Sequence, residues 1–390
     1  MQVQHANWNF PTTFWFGNGR IQELAKACEQ LNIENPLFVT DEGLVALNIT
    51  KTALDVLTKS DIAFGFYSNV QGNPSGRNVE DGVMAYKNGQ HDGIIAFGGG
   101  SALDAAKAIA LMVGQNRPLW DFEDVGDNWK RVNKEGIAPV IAIPTTAGTG
   151  SEVGRASVIT HEGEKLKKII FHPGMLPKLV IADPELTVEL PQNLTAWTGV
   201  DALVHAIEAY CAPGYHPMAD GIAVEAIKLI FDNLPLAHRD GENLEARGNM
   251  LTVSAMAAVA FQKGLGSIHS VSHQLGALYG LQHGLANSVL LPYGIKQNSS
   301  ALHKKMNYLS TVLALSGKGT ELVIDHILKL RSDLNIPHSL NDLGIDLAMK
   351  EEIGIRAFND PSTPTNARPI TAEELQQLFV AAVEGDLSLV

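Results

Sequence analysis

Five short apolar runs recur along the first half of the chain: PLFVT (36–40), IAFGFY (62–67), GIIAFG (93–98), PVIAIPT (139–145) and KLVIAD (178–183). Each is too short for a helix and apolar at successive positions, the pattern of a strand buried on both faces. Amphipathic stretches such as RIQELAKACEQL and NVEDGVMAYKNG separate them. Strand, helix, strand in this rhythm predicts an α/β unit with a parallel sheet covered on both sides. After DPELTVELP (183–191) the rhythm stops. NLTAWTGVDALVHAIEAYC, DGIAVEAIKLIFDNL, EARGNMLTVSAMAAVAF, ELVIDHILKLRSDL, DLAMKEEIGIRAF and TAEELQQLFVAAVEG then follow as helix after helix. Asn193 and Thr371 are candidate N-caps, and Pro177, Pro184 and Pro191 punctuate the crossover. A domain boundary is therefore expected near 191, with an all-helical second half.

Composition narrows the partners. The 390 residues carry a formal net charge of −13 and no run of basic residues, which argues against a general nucleic-acid or anionic-membrane binder. Apolar stretches such as MLTVSAMAAVAF stop short of the ~20 residues a membrane span needs. The two cysteines, Cys28 and Cys211, are too few for a disulfide framework or a thiolate zinc site. MQVQHANWNF lacks the basic and apolar regions of a signal peptide, so a soluble cytoplasmic protein is expected.

Two loops follow strands and are rich in glycine. In GIIAFGGGSALDAAKAIAL, Gly98, Gly99 and Gly100 let backbone N–H groups approach a ligand, and a helix opening at Ser101 would favour a phosphate. Ser101 can equally cap that helix, with Asp104 completing a capping box. The motif is neither GxGxxG nor a P-loop. In IPTTAGTGSEVG (143–154), the hydroxyls of Thr145, Thr146, Thr149 and Ser151 suit a ribose, a phosphate or an amide edge. Two such loops at strand C-termini mark the crevice where α/β sheets bind nucleotides. Asp41 closes the first strand just after that run, in LFVTDEGL, where a carboxylate accepts from ribose hydroxyls and repels a 2′-phosphate, favouring NAD over NADP.

The helical half carries its own constellation. Asp201 and His205 stand four residues apart in TGVDALVHAIEAY, as do His269 and His273 in GLGSIHSVSHQLGALYGLQHG, with His283 ten further on. Residues at i and i+4 share a helix face. One carboxylate and two or three imidazoles so aimed make a divalent-metal site. Spacing alone leaves open which histidines are ligands.

GGGSALDAAK, PTTAGTGSEV, DPELT, TGVDALVHAIEAY, HSVSHQLGALYGLQHG, ANSVLLP and TNARPIT, in this order, resemble the iron-containing (group III) alcohol dehydrogenases. That resemblance implies an NAD-binding, Rossmann-like α/β domain over residues 1–191. A helical metal-binding catalytic domain would follow over 192–390, in the dehydroquinate-synthase-like fold, with a deep cleft between them. It implies Asp201, His205, His269 and His283 as ligands of Fe(II), or of Zn(II) or another divalent ion. His273 becomes a non-ligand group that relays a proton. The resemblance also carries cofactor contacts onto Gly98, Gly99, Gly100, Ser101, Thr145, Thr146 and Thr149. It gives Asp41 the NAD-selecting position, Lys167 a ribose-facing one and Asn73, in QGNPS, a place at the nicotinamide or substrate. Without it, a lysine in EKLKK reads as a solvated face, and Lys165 and Lys168 leave room for a register slip.

The implied reaction is reversible hydride transfer between an alcohol and NAD, catalysed by a homodimer or higher homo-oligomer. The metal would act as a Lewis acid on the substrate oxygen. Two departures bear on substrate. TNARP stands where the family commonly has Asn-Pro-Arg, a packing detail, and FQKGLGSIH (261–269) is one residue shorter than in many diol-oxidising members. Lys263 and Arg155 then suggest a substrate carboxylate, as in an ω-hydroxy acid. Competing readings are a glycerol-dehydrogenase-like or dehydroquinate-synthase-like enzyme, a metal-dependent phosphohydrolase, and a nucleotide-binding assembly subunit. The phosphohydrolase reading suffers from having its one His-Asp dipeptide, His91-Asp92, ahead of a strand in the first half.

Overall fold

The structure, a computed structural model, describes residues 12–164 and 166–390. The N-terminal stretch MQVQHANWNF and Lys165 therefore lie outside the described residues. Two compact units divide the chain, one ending at Leu190 and the other running from Pro191 to Val390.

The first unit contains β1 (Thr13–Phe16), α1 (Leu24–Gln30), β2 (Pro36–Asp41), α2 (Asn48–Lys59), β3 (Gly65–Val70) and α3 (Gly76–Asn88). It continues through β4 (Gly93–Gly98), α4 (Gly100–Met112), β5 (Val140–Pro144), β6 (Ala156–His161), β7 (Leu166–Phe171) and β8 (Leu179–Ala182). Six strands form one sheet in the order β1-β8-β5-β4-β2-β3, and every pairing is parallel. The parallel sheet expected from the apolar runs is present. Because strand side chains alternate, Phe38, Ile95, Phe97, Ile141, Ile143, Leu179 and Ile181 point to one face and join Leu24, Cys28, Ala53 and Leu57 of α1 and α2 in a core. The opposite face packs on α4, whose Ala102, Ala105, Ala106 and Ala108 are fully buried. Small side chains let that helix approach closely, which brings its N-terminus to the strand ends.

Several local expectations change. The run at 62–67 enters the sheet only at Gly65, opposite Leu37. Ile62 instead closes α2 by donating its N–H to Leu57 O at 3.1 Å, and with Phe64 it packs on the core from outside the sheet. Strand β1 and the antiparallel β6–β7 hairpin were not anticipated: β1 is four residues long with none of them buried, and β6 and β7 mix polar with apolar residues. Ser101 does not cap α4. Gly99 occupies the cap without a side-chain bond, and Asp104 is engaged elsewhere. Asn193 lies inside the first helix of the second unit, where Pro191 takes the cap position.

That second unit holds α5 (Gln192–Cys211), α6 (Pro217–Arg239), α7 (Leu244–Phe261), α8 (Ser267–Tyr279), α9 (His283–Gln297), α10 (Ser299–Val312), α11 (Thr320–Asp333), α12 (Lys350–Phe358) and α13 (Ala372–Glu384). None of its described residues lies in a strand. Helix α5 is buried from Thr198 to Cys211, which explains why its sequence is apolar on every face but one. Thr371 caps α13 and closes a capping box with Glu374. No helix among the described residues is long and apolar enough to cross a membrane.

Candidate metal site and glycine-rich loops

Helix α5 presents Asp201, His205 and Glu208 on one face, at i, i+4 and i+7. Helix α8 contributes His269 in its first turn, and α9 begins at His283. One ligand atom from each of Asp201, His205, His269 and His283 lies within 4.8 Å of the others. The first three are buried and His283 is partly open. The His205 and His269 rings stack with centroids 4.7 Å apart. Phe261, at the end of α7, packs against His205 at 5.0 Å and supplies an apolar wall.

The surroundings fit a cation. Burial, with His205 alongside, pushes His269 well below the usual imidazole range, so its ring is neutral and a lone pair is available. Glu208 fixes which nitrogen offers it: its Oε2 lies 2.6 Å from His269 Nδ1, leaving Nε2 to face the cluster. Glu208 Oε1 accepts from Ile268 N at 2.8 Å and so ties the carboxylate to the start of α8. The Asn287 amide nitrogen lies 2.6 Å from Asp201 Oδ1 and 3.2 Å from both His269 Nε2 and His283 Nε2. A partly positive N–H group thus sits where the lone pairs converge. Imidazole and carboxylate donors in this arrangement suit a borderline divalent ion such as iron or zinc.

His273 stands outside that set, although its ring stacks on His283 at 5.4 Å. Its Nδ1 lies 2.9 Å from Asp360 Oδ2. Burial pushes the Asp360 carboxyl up, but His273 and the Ser362 donors outweigh it and hold it below the usual range. Asp360, Glu208 and Asn287 were missed by sequence reading. The spacing of Glu208 from Asp201 and His205 was a usable signal, as was that of Asn287 four residues after His283. Asp360 gave none.

In the first unit the two glycine loops touch. Thr145 N donates to Gly98 O at 3.0 Å. A Cβ at Gly99 would meet Thr146 at 3.2 Å, and one at Gly100 would meet Thr149 at 2.6 Å. Gly98 has φ +145°, which an L side chain rarely adopts, and its missing Cβ would lie 3.3 Å from Asp41 Oδ2. Asp41, Gly98, Gly99, Gly100, Thr145, Thr146 and Thr149 are therefore neighbours, with Ser101 in the first turn of α4. Asn73 is exposed, in the left-handed region at φ 60°, in the loop before α3. Lys167 lies on β7 opposite Thr160. Lys168 is committed to Glu123 and Glu164 at 3.4 and 3.0 Å, so alternation sends Lys167 to the other face of the hairpin.

The cations suggested for a substrate carboxylate are engaged. Lys263, its side chain 2% exposed, lies 2.5 Å from Asp220 Oδ1 and donates to Tyr210 O at the end of α5. Arg155 lies over the Phe171 ring, with Asp124 as its counter-charge. Lys263 serves the helix end, which corrects the expectation that it faces substrate.

A parallel sheet ending in interlocked glycine loops, with a four-donor Asp–His cluster in a separate helical unit, is the plan of a metal-dependent dehydrogenase. The chain belongs to the iron-containing alcohol dehydrogenases. The family model "Iron-containing alcohol dehydrogenase" matches residues 11–184, and "Fe-containing alcohol dehydrogenase family, C-terminal" matches 195–383. The chain is 34% identical to the NAD-dependent methanol dehydrogenase of Bacillus methanolicus over 97% of its own length and 100% of the relative's. It is also 34% identical to the 4-hydroxybutyrate dehydrogenase of Cupriavidus necator, over 93% and 95% of the two chains. The sulfoacetaldehyde reductase of Bifidobacterium kashiwanohense, solved in complex with NAD+, superposes with a TM-score of 0.89 at 29% identity, covering 98% and 100% of the two chains.

Proposed function

We propose that this protein catalyses reversible hydride transfer between a small alcohol and NAD, using one divalent metal ion. The observation that carries the reading is the convergence of Asp201, His205, His269 and His283 within 4.8 Å. These four side chains would hold the ion. A divalent ion there supplies Lewis acidity, which lowers the pKa of an alcohol hydroxyl and polarises a carbonyl. Glu208 keeps His269 in the tautomer that offers Nε2. His273, its Nδ1 paired with Asp360, has Nε2 left to take up or release the proton of the alcohol. Family membership favours iron, while ligand type admits zinc.

Asp41, beside the glycine turn, would accept from the ribose hydroxyls of NAD and repel the extra phosphate of NADP. Backbone N–H groups of the first loop and the hydroxyls of Thr145, Thr146 and Thr149 would take the rest of the dinucleotide, with Lys167 at a ribose and Asn73 at the nicotinamide or substrate. Residues up to 191 then form the NAD-binding domain and the remainder the metal-binding catalytic domain. A phosphohydrolase is disfavoured, since two-metal chemistry needs a second cluster and the described residues hold one. With both cysteines unpaired, we place the enzyme in the cytoplasm, as a homodimer. A single-chain mass by light scattering would remove the dimer.

The test is NADH formation from a panel of primary alcohols, diols and 4-hydroxybutyrate, on protein loaded with Fe(II) or Zn(II) and on metal-free protein. Metal-dependent oxidation of at least one alcohol is expected. No NADH from any substrate with either metal would overturn the reading. With Lys263 committed to Asp220, 4-hydroxybutyrate should hold no advantage over butanol.

A further inference from the structure

Asp201 is the anionic donor of the cluster, and a side chain from another helix governs how its carboxylate faces. Asn287 stands on α9, one turn after His283 and on the same face. It is fully buried, and its amide nitrogen lies 2.6 Å from Asp201 Oδ1, against 3.2 Å from His269 Nε2 and from His283 Nε2. The short contact fixes which way the amide is turned. An amide oxygen in that place would meet a carboxylate oxygen at 2.6 Å with no proton between them. Asn287 Oδ1 is itself buried and meets no donor among the described residues. A buried acceptor left without a partner costs stability. The amide is therefore turned to serve Asp201, at the expense of its own oxygen.

We propose that Asn287 is a positioning residue that holds Asp201 to coordination through one oxygen. Its N–H engages a lone pair of Oδ1, so the carboxylate offers a metal ion a single oxygen instead of straddling it with both. A straddling carboxylate would add a fifth protein donor. It would also fill the place that a substrate oxygen needs, which catalytic ions keep open. Hydrogen bonds to a ligating carboxylate from the layer outside it set its orientation and tune the ion in this way. Asn287 thus does for Asp201 what Glu208 does for His269, from the opposite helix. The inference rests on the reading of the Asp–His cluster as a metal site, and extends it from which residues bind to how one of them binds.

Asn287→Leu removes the donor with little change in volume, and Asn287→Ala shortens the side chain to the best helix former. The test titrates Co(II) into metal-stripped wild type and both variants and follows the visible absorption of the bound ion. Those bands are intense for four-coordinate Co(II) and weaken as the coordination number rises. The variants should bind Co(II) about 10–100-fold more weakly, the usual cost of losing a partner in the outer layer of a metal site. Their bands should also lose intensity relative to wild type, as Asp201 turns to bind through both oxygens. A side chain that only fills space would lower the melting temperature and leave the band intensity at the wild-type value. That result overturns the proposal, even if affinity falls, and Asn287→Ala decides if Asn287→Leu fails to fold. Wild type that takes up no Co(II) would instead remove the metal reading beneath it.

Discussion

His269 and His273 stand one turn apart on α8, yet their Nδ1 atoms meet different carboxylates, Glu208 and Asp360. In the proposed reaction that difference separates a metal donor from a proton carrier. His273→Ala should lower turnover by about 10²–10⁴, the usual worth of a general acid–base group, while metal stays near one ion per chain. Asp201→Ala should lose metal and activity together, because it removes the anionic donor. Elemental analysis beside kinetics checks both, and metal loss from the His273 variant would show that it is a ligand. Glu152 offers a pH test. Burial pushes its carboxyl up to about 7. A raised carboxylate binds its proton more tightly folded than unfolded, so its contribution to stability falls as pH climbs from the ordinary carboxylate range through about 7. Glu152→Gln should therefore gain stability relative to wild type between pH 5 and 8. The gain is at most about 3 kcal/mol, at about 1.4 kcal/mol per pKa unit, and denaturant melts at both pH values read it. At this scale the sequence was legible where helical spacing speaks. Asp201, His205 and Glu208 share a face by arithmetic, whereas Asp360 reaches His273 from another helix end, a contact no local pattern encodes.

Among the elements, those with continuous apolar runs were readable, and the mixed ones were not. Strands β4, β5 and β8 are buried on both faces and announce themselves. The β6–β7 hairpin carries Lys167 and Lys168 and resembles a solvated loop until Ala156 pairs with Phe171. Helix α4 shows how an element starts without a capping side chain. Gly99 and Gly100 begin it where Thr146 and Thr149 press from the second loop, so the bare backbone is a steric requirement. Gly100→Ala should force Thr149 aside, at a cost of about 1–3 kcal/mol for an overpacked site. NADH binding should weaken with it. Equal stability and equal affinity in calorimetry would show that the two loops are not interlocked as described.

For the whole molecule, the break in pattern at 191 follows from burial: strands alternating with helices form one core, and helices that are apolar nearly all round need another. On the proposed reading each core answers to its own ligand. Stripping metal with a chelator should lower the melting temperature, because an ion that binds only the folded state adds roughly 4 kcal/mol at a free concentration of about 1,000 Kd. NADH should stabilise the protein whether or not metal is present. A thermal scan unmoved by chelation would argue against the cluster as a metal site.

The four donors are also separated in time. Asp201 and His205 emerge from the ribosome early in the helical unit, but His283 is the first residue of α9. A cation taken up by all four can be captured only once the ribosome has passed that position, when the α/β unit is already complete. On the proposed ligand set, loading therefore cannot precede synthesis of the α/β unit, and translation itself orders the two sites.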